Sequence, residues 1–252
     1  LIAKRGLADQ LVHELASSRY KPAMMALGTI TDAYQPLDRE LRLTREVLQV
    51  LHDCHHPMAV VTKGSGIERD MDLLAPMAAR RQAGVYVSVT TLDADLARRM
   101  EPRAAAPWRR LRTIRTLADA GIPVGVSVSP QIPFINDDME QVLEAARDAG
   151  ATSAFYVVLR LPWELSLLFR QWLDLHYPDR AARVMARMHD LRGGKDYDAS
   201  FATRRSGQGI WADLIAQRFD KACRRLGLNG QRPLWNLADF RPPSPVGQMG
   251  LF

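Results

Sequence analysis

A repeated unit constrains this chain more than any other feature: a short apolar run, a polar loop and then an amphipathic helix. The apolar runs lie at 23–29, 58–62, 84–90, 122–129 and 152–159. Helices are predicted at 7–17, 38–52, 68–81, 107–120 and 138–149. The runs lack strict apolar–polar alternation, which predicts strands covered on both faces. A period of roughly 30 to 40 residues is typical of right-handed βαβ units, so we predict an α/β fold with a parallel sheet.

Polar residues follow every predicted strand. The first strand leads into the motif GTITDAYQP at 28–36. The later strands lead into TKGS at 62–65, SVTT at 88–91, SVSPQIPFIND at 127–137 and RLP at 160–162. The carboxyl ends of parallel strands share one edge of the sheet, and ligands bind at that edge in such folds. We therefore predict a pocket for a polar small molecule that carries carboxylate, amine and hydroxyl groups.

Each of these residues also has a purely structural interpretation. Ser and Thr beside strands often cap the following helix, and Asp32 can cap a turn. Lys63 can be a solvated surface lysine, and Glu101 and Arg103 can form a surface ion pair. The recurrence of polar residues at five strand ends is what favours a ligand site.

The pattern changes after Leu159. Helices are predicted at 163–177, 179–191 and 208–226, with a polar stretch at 195–209 and a Pro-rich tail at 229–252. We divide the chain into a core, 1–192, and a C-terminal extension, 193–252. A complete barrel needs eight βα units, so five strands predict an open barrel or one that lacks a strand at its start.

Composition narrows the class of protein. The chain has 252 residues, 47% of them hydrophobic, which is enough for a full core. The net charge of +6 weakly favours an anionic partner, although the arginines are scattered along helices. Two cysteines exclude a disulfide framework and any Cys-rich metal site made within these residues. We see no signal peptide and no membrane-spanning run, so we expect a cytoplasmic protein.

A group of potential metal ligands, His52, Cys54, His55 and His56, is the rival site. The group lies between a predicted helix and a predicted strand, on the amino-terminal side of the sheet. A helix carboxyl end favours His through its dipole, which is a sufficient reason for histidines there. We predict no metal site from it. The sequence has no GxSxG, P-loop, HExxH or GxGxxG motif.

An ordered set of motifs carries a family resemblance. The set comprises GTITDAYQP at 28–36, LTR at 43–45, TK at 62–63, RDMDLL at 69–74, SVTTLD at 88–93, EPRA at 101–104, AGIPV at 120–124, PQIP at 130–133, ND at 136–137, VLRLP at 158–162 and QMGLF at 248–252. In this order they resemble the radical S-adenosylmethionine (SAM) proteins related to spore photoproduct lyase, often described as DNA repair photolyase-like. The resemblance covers essentially the whole chain.

The resemblance implies a partial (β/α)6 barrel that binds SAM and a [4Fe–4S] cluster. In this family a C-x3-C-x2-C loop holds the cluster, and one electron cleaves SAM to a 5′-deoxyadenosyl radical that abstracts hydrogen. An electron donor such as flavodoxin or ferredoxin is also implied. The substrate stays open, and nucleic acid is one candidate.

The resemblance also assigns residues to the cofactor. Thr31 and Asp32 match the strand end that meets the methionyl amine, and Lys63 would neutralise the methionyl carboxylate. The remaining assignments are Ser88 and Thr90 at the ribose, Pro133 and Asn136 near the adenine, Arg160 at the last strand, and Arg103 as a second partner of the carboxylate.

The cysteine loop of the family is not among these residues. Family members place it upstream of the segment that matches Leu1, so we expect a fragment without cluster ligands, or a member that lost the chemistry. The leading hypothesis is a radical SAM enzyme core. The alternatives are a non-catalytic nucleic-acid-binding or scaffold protein on the same barrel, and a lyase or aldolase that uses Lys63 as a Schiff-base amine.

Overall fold

One parallel sheet organises the molecule, which a computed structural model describes over residues 3–231 and 234–243. Its strands follow one another in sequence order, and each pairs in parallel with the next. They are β1 Met25–Leu27, β2 Met58–Thr62, β3 Ala83–Ser88, β4 Val124–Gln131 and β5 Ser153–Val158. The sheet curves into an open half-barrel. The predicted α/β fold is therefore confirmed.

Helices cover the outer face of this sheet and continue beyond it. They are α1 Leu7–Leu15, α2 Asp38–Leu41, α3 Leu43–Asp53, α4 Met71–Ala79, α5 Ala94–Met100, α6 Pro107–Asp119, α7 Met139–Asp148, α8 Leu165–His176, α9 Pro178–Asp190 and α10 Ile210–Leu226. A 3-10 helix, Ser65–Asp70, precedes α4. The helix predicted over 38–52 is broken at Arg42, whose φ of 52° interrupts it between α2 and α3. Helix α5 was not predicted, and the Asp93 carboxylate caps it by accepting the N–H of Asp95 and Leu96.

The two faces of the sheet differ in chemistry. Val60, Val87 and Val126 point to the helices and are fully buried in the main core. The alternate positions are small or polar in β3 and β4, for example Gly84 and Gly125. One face of the sheet therefore packs on helices, and the other lines the hollow of the half-barrel.

Strand β1 is shorter than the predicted 23–29 because the chain turns at Gly28. Gly28 has a φ of 78°, and a Cβ there would lie 2.0 Å from the carbonyl oxygen of Val61. Only glycine allows the backbone to bend so close to β2. The turn sends residues 29–36 over the carboxyl edge of the sheet.

The chain after α10 crosses the amino edge of the sheet, and we call residues 234–243 the C-terminal strap. The Trp235 ring packs on Gly84, where an added Cβ would lie 3.0 Å from it. Further along, Phe240 packs on His56, and the N–H of Arg241 donates to the carbonyl of Cys54. The strap thus closes the bottom of the half-barrel. The motif at 248–252 lies outside the described residues.

Helices α8, α9 and α10 surround a second buried cluster at the end of β5, with Leu173, Val184 and Ile215 at its centre. The predicted helical C-terminal region is confirmed. The division at residue 192 stays a prediction, because α10 packs both on this cluster and on the main core through Phe219. Within the described residues, no helix is long and apolar enough to span a membrane.

Candidate functional site

The carboxyl ends of the strands enclose a cavity of about 400 Å³, which we call the upper cavity. Its volume falls in the range of roughly 300 to 1,000 Å³ that is typical of small-molecule sites. Five of the predicted site residues line it: Thr31, Asp32, Lys63, Ser88 and Arg160. Phe155 also lines the cavity, and its ring contacts that of Tyr86 at a centroid distance of 5.0 Å. The pair forms a floor across the half-barrel.

Asp32 fixes the loop that follows β1. Its Oδ1 accepts the N–H of Tyr34 at 2.8 Å and the hydroxyl of Thr62 at 2.7 Å. Its Oδ2 accepts the N–H of Lys63 at 2.6 Å. The carboxylate therefore ties the first loop to the end of β2. A carboxylate offers about four acceptor sites, so this arrangement leaves capacity for one further donor.

Tyr34 anchors the same loop from beneath. Its ring is buried, and its hydroxyl donates to Oδ2 of Asp70 at 3.0 Å. Burial raises the pKa of Tyr34 well above its usual value, and the neighbouring Asp70 raises it further. Arg45 pairs with the other oxygen of Asp70 at 2.9 Å. These contacts anchor the end of the loop beneath the lateral cavity.

A buried carboxylate holds Lys63 at the cavity wall. The Nζ of Lys63 lies 2.7 Å from Oε1 of Glu101, whose Oε2 lies 2.6 Å from Nη2 of Arg110. Burial alone would raise the pKa of Glu101, but Lys63 and Arg110 outweigh it and hold that pKa below its usual value. The interpretation of Glu101 as half of a surface ion pair with Arg103 is wrong, because the Glu101 side chain is only 8% exposed and its partners are these two cations.

Thr90 and Asn136 form hydrogen bonds that hold Glu101 and the loop after β4 in place. The Thr90 hydroxyl contacts Oε1 of Glu101 at 2.9 Å and the carbonyl of Ser129 at 3.0 Å. Asn136 donates to the carbonyl of Thr90 at 2.9 Å and accepts the N–H of Ile132 at 2.8 Å. Both side chains are buried and lie outside the upper cavity.

Pro133 and Arg103 also lie away from the upper cavity. Pro133, together with Asn136, lines a separate cavity of about 270 Å³ against α10. Arg103 lines a lateral cavity of about 680 Å³, which shares Asp32 and Lys63 with the upper one. The structure thus brings together five of the nine predicted residues and leaves four around them.

The segment after α9 contributes residues that the sequence did not single out. Arg205 lines the upper cavity, and its carbonyl accepts the N–H of Val158 at 2.8 Å. Tyr197 lies 2.9 Å from Nη2 of Arg160. The polar composition of residues 195–209 is typical of a loop that only connects two helices, whereas in the structure this segment packs on the open side of β5.

Arg192 fastens this segment to the sheet. The side chain is buried, and its guanidinium donates to the carbonyls of Val158, Leu159 and Arg204 at 2.7 to 3.1 Å. Burial lowers the pKa of Arg192. An arginine that stands after a predicted helix gives no sequence signal of such a role.

The two cysteines do not fit an iron–sulfur site. Cys54 ends α3 at the amino edge of the sheet, and Cys223 lies within α10. Both are buried, and burial raises the pKa of each thiol, that of Cys223 to about 11. A cluster needs deprotonated thiolates. Over residues 3–231 and 234–243 there is no group of three or more His, Cys, Asp or Glu that could hold a metal ion.

Two hydrogen bonds fix the ring of His56 within the fold. The ring is buried, its Nδ1 bonds to the carbonyl of Pro57 at 3.0 Å, and its Nε2 bonds to the hydroxyl of Tyr20 at 2.6 Å. Burial lowers its pKa, which favours the neutral ring. Both ring nitrogens are therefore occupied.

Comparison with known proteins gives one family and several relatives. The model of the radical SAM superfamily matches residues 7–149. An uncharacterized protein of Mycobacterium tuberculosis is 30% identical over 186 residues, which cover 73% of this chain and 55% of that protein. An uncharacterized protein of Methanocaldococcus jannaschii is 24% identical over 179 residues, which cover 71% of this chain and 64% of that protein. The chain thus spans little more than half the length of the curated mycobacterial relative.

Among solved structures, two mutants of spore photoproduct lyase match with TM-scores of 0.49 and 0.47. Each is 14% identical in sequence. The matches cover 87% and 88% of this chain and 61% of the lyase.

Proposed function

This chain belongs to the radical SAM superfamily, and from that premise we propose that its upper cavity is the SAM site of a radical enzyme. The observation that carries the proposal is the convergence of Asp32, Lys63 and Ser88 in one cavity at the carboxyl edge of the sheet. The chemistry supplied by bound SAM and a cluster is reductive cleavage of the sulfonium to a 5′-deoxyadenosyl radical, which abstracts hydrogen from the substrate.

The residues of the upper cavity fit the polar groups of SAM. Asp32 has remaining acceptor capacity for the methionyl ammonium, and the Nζ of Lys63 suits the methionyl carboxylate. The two side chains also line the wall shared with the lateral cavity. Ser88 offers a hydroxyl to the ribose, and Arg160 closes the far side. In the proposal, these groups bind and orient the cofactor.

The residues do not fit the cluster. Its thiolates would have to come from outside these 252 residues, because the chain offers only two buried cysteines on separate elements. We derive no step through the cluster from these side chains. In this proposal the 252-residue chain supplies the cofactor platform, is inactive by itself, and depends on an electron donor of the flavodoxin or ferredoxin type.

Nucleic acid is the substrate class that we propose, because exposed aromatic rings lie close in sequence to the cavity-lining residues Arg160 and Arg205. Trp163 is 89% exposed and Phe201 is 82% exposed. The guanidinium of Arg204 lies 3.6 Å above the Phe201 ring, and Arg205 reaches the cavity itself. Exposed aromatic rings beside arginines are the pattern on which single-stranded nucleic acids stack. The same exposed rings support the alternative function of a non-catalytic nucleic-acid-binding protein.

The cofactor proposal is tested by calorimetry with S-adenosylhomocysteine, which keeps the amino-acid group but lacks the reactive sulfonium. We expect saturable binding to the 252-residue chain and a loss of tenfold or more in Asp32→Asn. Asp174→Asn, at an exposed position of α8, serves as a matched charge control and should bind like the wild type. A folded wild-type chain that does not bind would overturn the proposal.

The nucleic-acid proposal is tested with a fluorescent single-stranded oligonucleotide. Phe201→Ala should weaken binding by roughly tenfold, since stacking contributes about 1 to 3 kcal/mol per base. Phe201→Tyr keeps an aromatic ring and should bind the oligonucleotide as tightly as the wild type. Equal binding by all three proteins would remove this substrate class and leave the SAM site standing.

A further inference from the structure

Lys63, Glu101 and Arg110 form a triad with an uneven distribution of exposure. The side chains of Arg110 and Glu101 are 2% and 8% exposed, whereas that of Lys63 is 37% exposed. Two cations and one carboxylate leave one formal positive charge. That charge reaches solvent only through Lys63, at the wall that the two cavities share.

Two hydrogen bonds to backbone carbonyls hold the Arg110 guanidinium in place independently of Lys63. Its Nε donates to the carbonyl of Ala105 at 2.6 Å, and its Nη1 donates to the carbonyl of Ser88 at 3.0 Å. The guanidinium therefore neutralises Glu101 from the buried side. Because Arg110 already neutralises this carboxylate, Glu101 can hold the Lys63 ammonium without cancelling the charge that the ammonium presents.

We propose that Glu101 is a positioning residue that aims the Lys63 ammonium at one carboxylate of the ligand, with Arg110 as the buried counterion. The inference rests on the proposed SAM site and deepens it. A free lysine side chain samples many rotamers, and ordering one of them on binding costs conformational entropy. A contact made before the ligand arrives removes part of that cost from binding.

The alternative is that Glu101 only stabilises the fold, through Arg110 and Thr90. The two roles differ in ligand selectivity. A positioning residue affects ligands that carry the amino-acid carboxylate, whereas a structural residue affects every ligand of the cavity equally. Two nucleosides separate these cases: S-adenosylhomocysteine has the carboxylate, and 5′-methylthioadenosine lacks it.

The test measures the affinity of both nucleosides for the wild type, Lys63→Met, Glu101→Gln and the double variant. We expect Lys63→Met and Glu101→Gln each to weaken S-adenosylhomocysteine at least tenfold and 5′-methylthioadenosine less than twofold. Glu101→Gln should add nothing in the Lys63→Met background, because the two residues act as one unit. Equal losses for both nucleosides, or no loss in Glu101→Gln, would overturn the inference.

A second variant guards against misfolding of Glu101→Gln. Glu101→Asp keeps the charge beside Arg110 but shortens the reach to Lys63, so it should show the same selective loss in a folded protein. Wild-type affinity for S-adenosylhomocysteine in Glu101→Asp would count against positioning. Binding of neither nucleoside by the wild type would instead overturn the SAM site itself, and the inference with it.

Discussion

Gly28 makes the strongest prediction about the link between fold and site, and Gly121 supplies its control. Gly28 has a φ of 78° and Gly121 a φ of 74°, so Ala at either position adopts a left-handed conformation that costs about 1 kcal/mol. An added Cβ at Gly121 meets nothing within 4 Å, whereas at Gly28 it lies 2.0 Å from the Val61 carbonyl oxygen. Gly28→Ala must therefore push β1 about 1.4 Å away to reach an ordinary contact of 3.4 Å.

Such a displacement exceeds what the short β1–β2 ladder tolerates. Loss of two or three net hydrogen bonds adds about 2 to 3 kcal/mol to the backbone strain of Gly28→Ala. At about 2 to 4 °C per kcal/mol, Gly121→Ala should lower the Tm by about 2 to 4 °C and Gly28→Ala by at least about 6 °C. Scanning calorimetry with urea titrations measures both. Equal shifts in the two variants would refute the argument from the close approach.

Four further predictions follow from burial, pairing and the cysteine content of the chain. Arg109 lowers the pKa of Glu68, so the stabilisation by Glu68 is complete above about pH 4.3 and is lost as the pH falls through its lowered folded pKa. Urea titrations should show Glu68→Gln less stable than the wild type by about 1 kcal/mol at neutral pH, with a difference that shrinks in acid. Anaerobic reconstitution of the 252-residue chain should not reach four irons per chain, and neither Cys54 nor Cys223 should react with a thiol reagent before unfolding. Strand β1 pairs with β2 alone among the described strands and its residue Ala26 is exposed, so the Ala26 amide should exchange hydrogen faster than that of Val60.

The parallel sheet was predictable because its strands are buried apolar runs that recur with a βα period. Local geometry set the limits of that prediction. The left-handed backbone at Arg42 divides a pattern that reads as one helix, and Asp93 starts a helix in a segment with a weak apolar pattern. Whether the second face of a strand meets a helix or a hollow depends on its neighbours, which periodicity does not record.

The candidate site could be predicted only for those residues that the order of the strands brings close together. Thr31, Asp32 and Lys63 follow adjacent strands, so their convergence follows from topology. The pairing of Glu101 with Arg110 could not be predicted, because it joins a side chain from a loop to a side chain from a helix. The contact of residues 195–209 with β5 could not be predicted either, because the two segments are separated by a long stretch of sequence and no local pattern indicates that they meet.

The C-terminal strap has a consequence for the order in which this protein is made. Trp235 packs on Gly84 and Phe240 packs on His56, two residues that leave the ribosome about 150 or more residues earlier, while domains generally fold as units during synthesis. Until the strap emerges, Gly84 and His56 lack the rings that seal them. The base of the nascent half-barrel therefore stays uncovered until residues 234–243 have been translated.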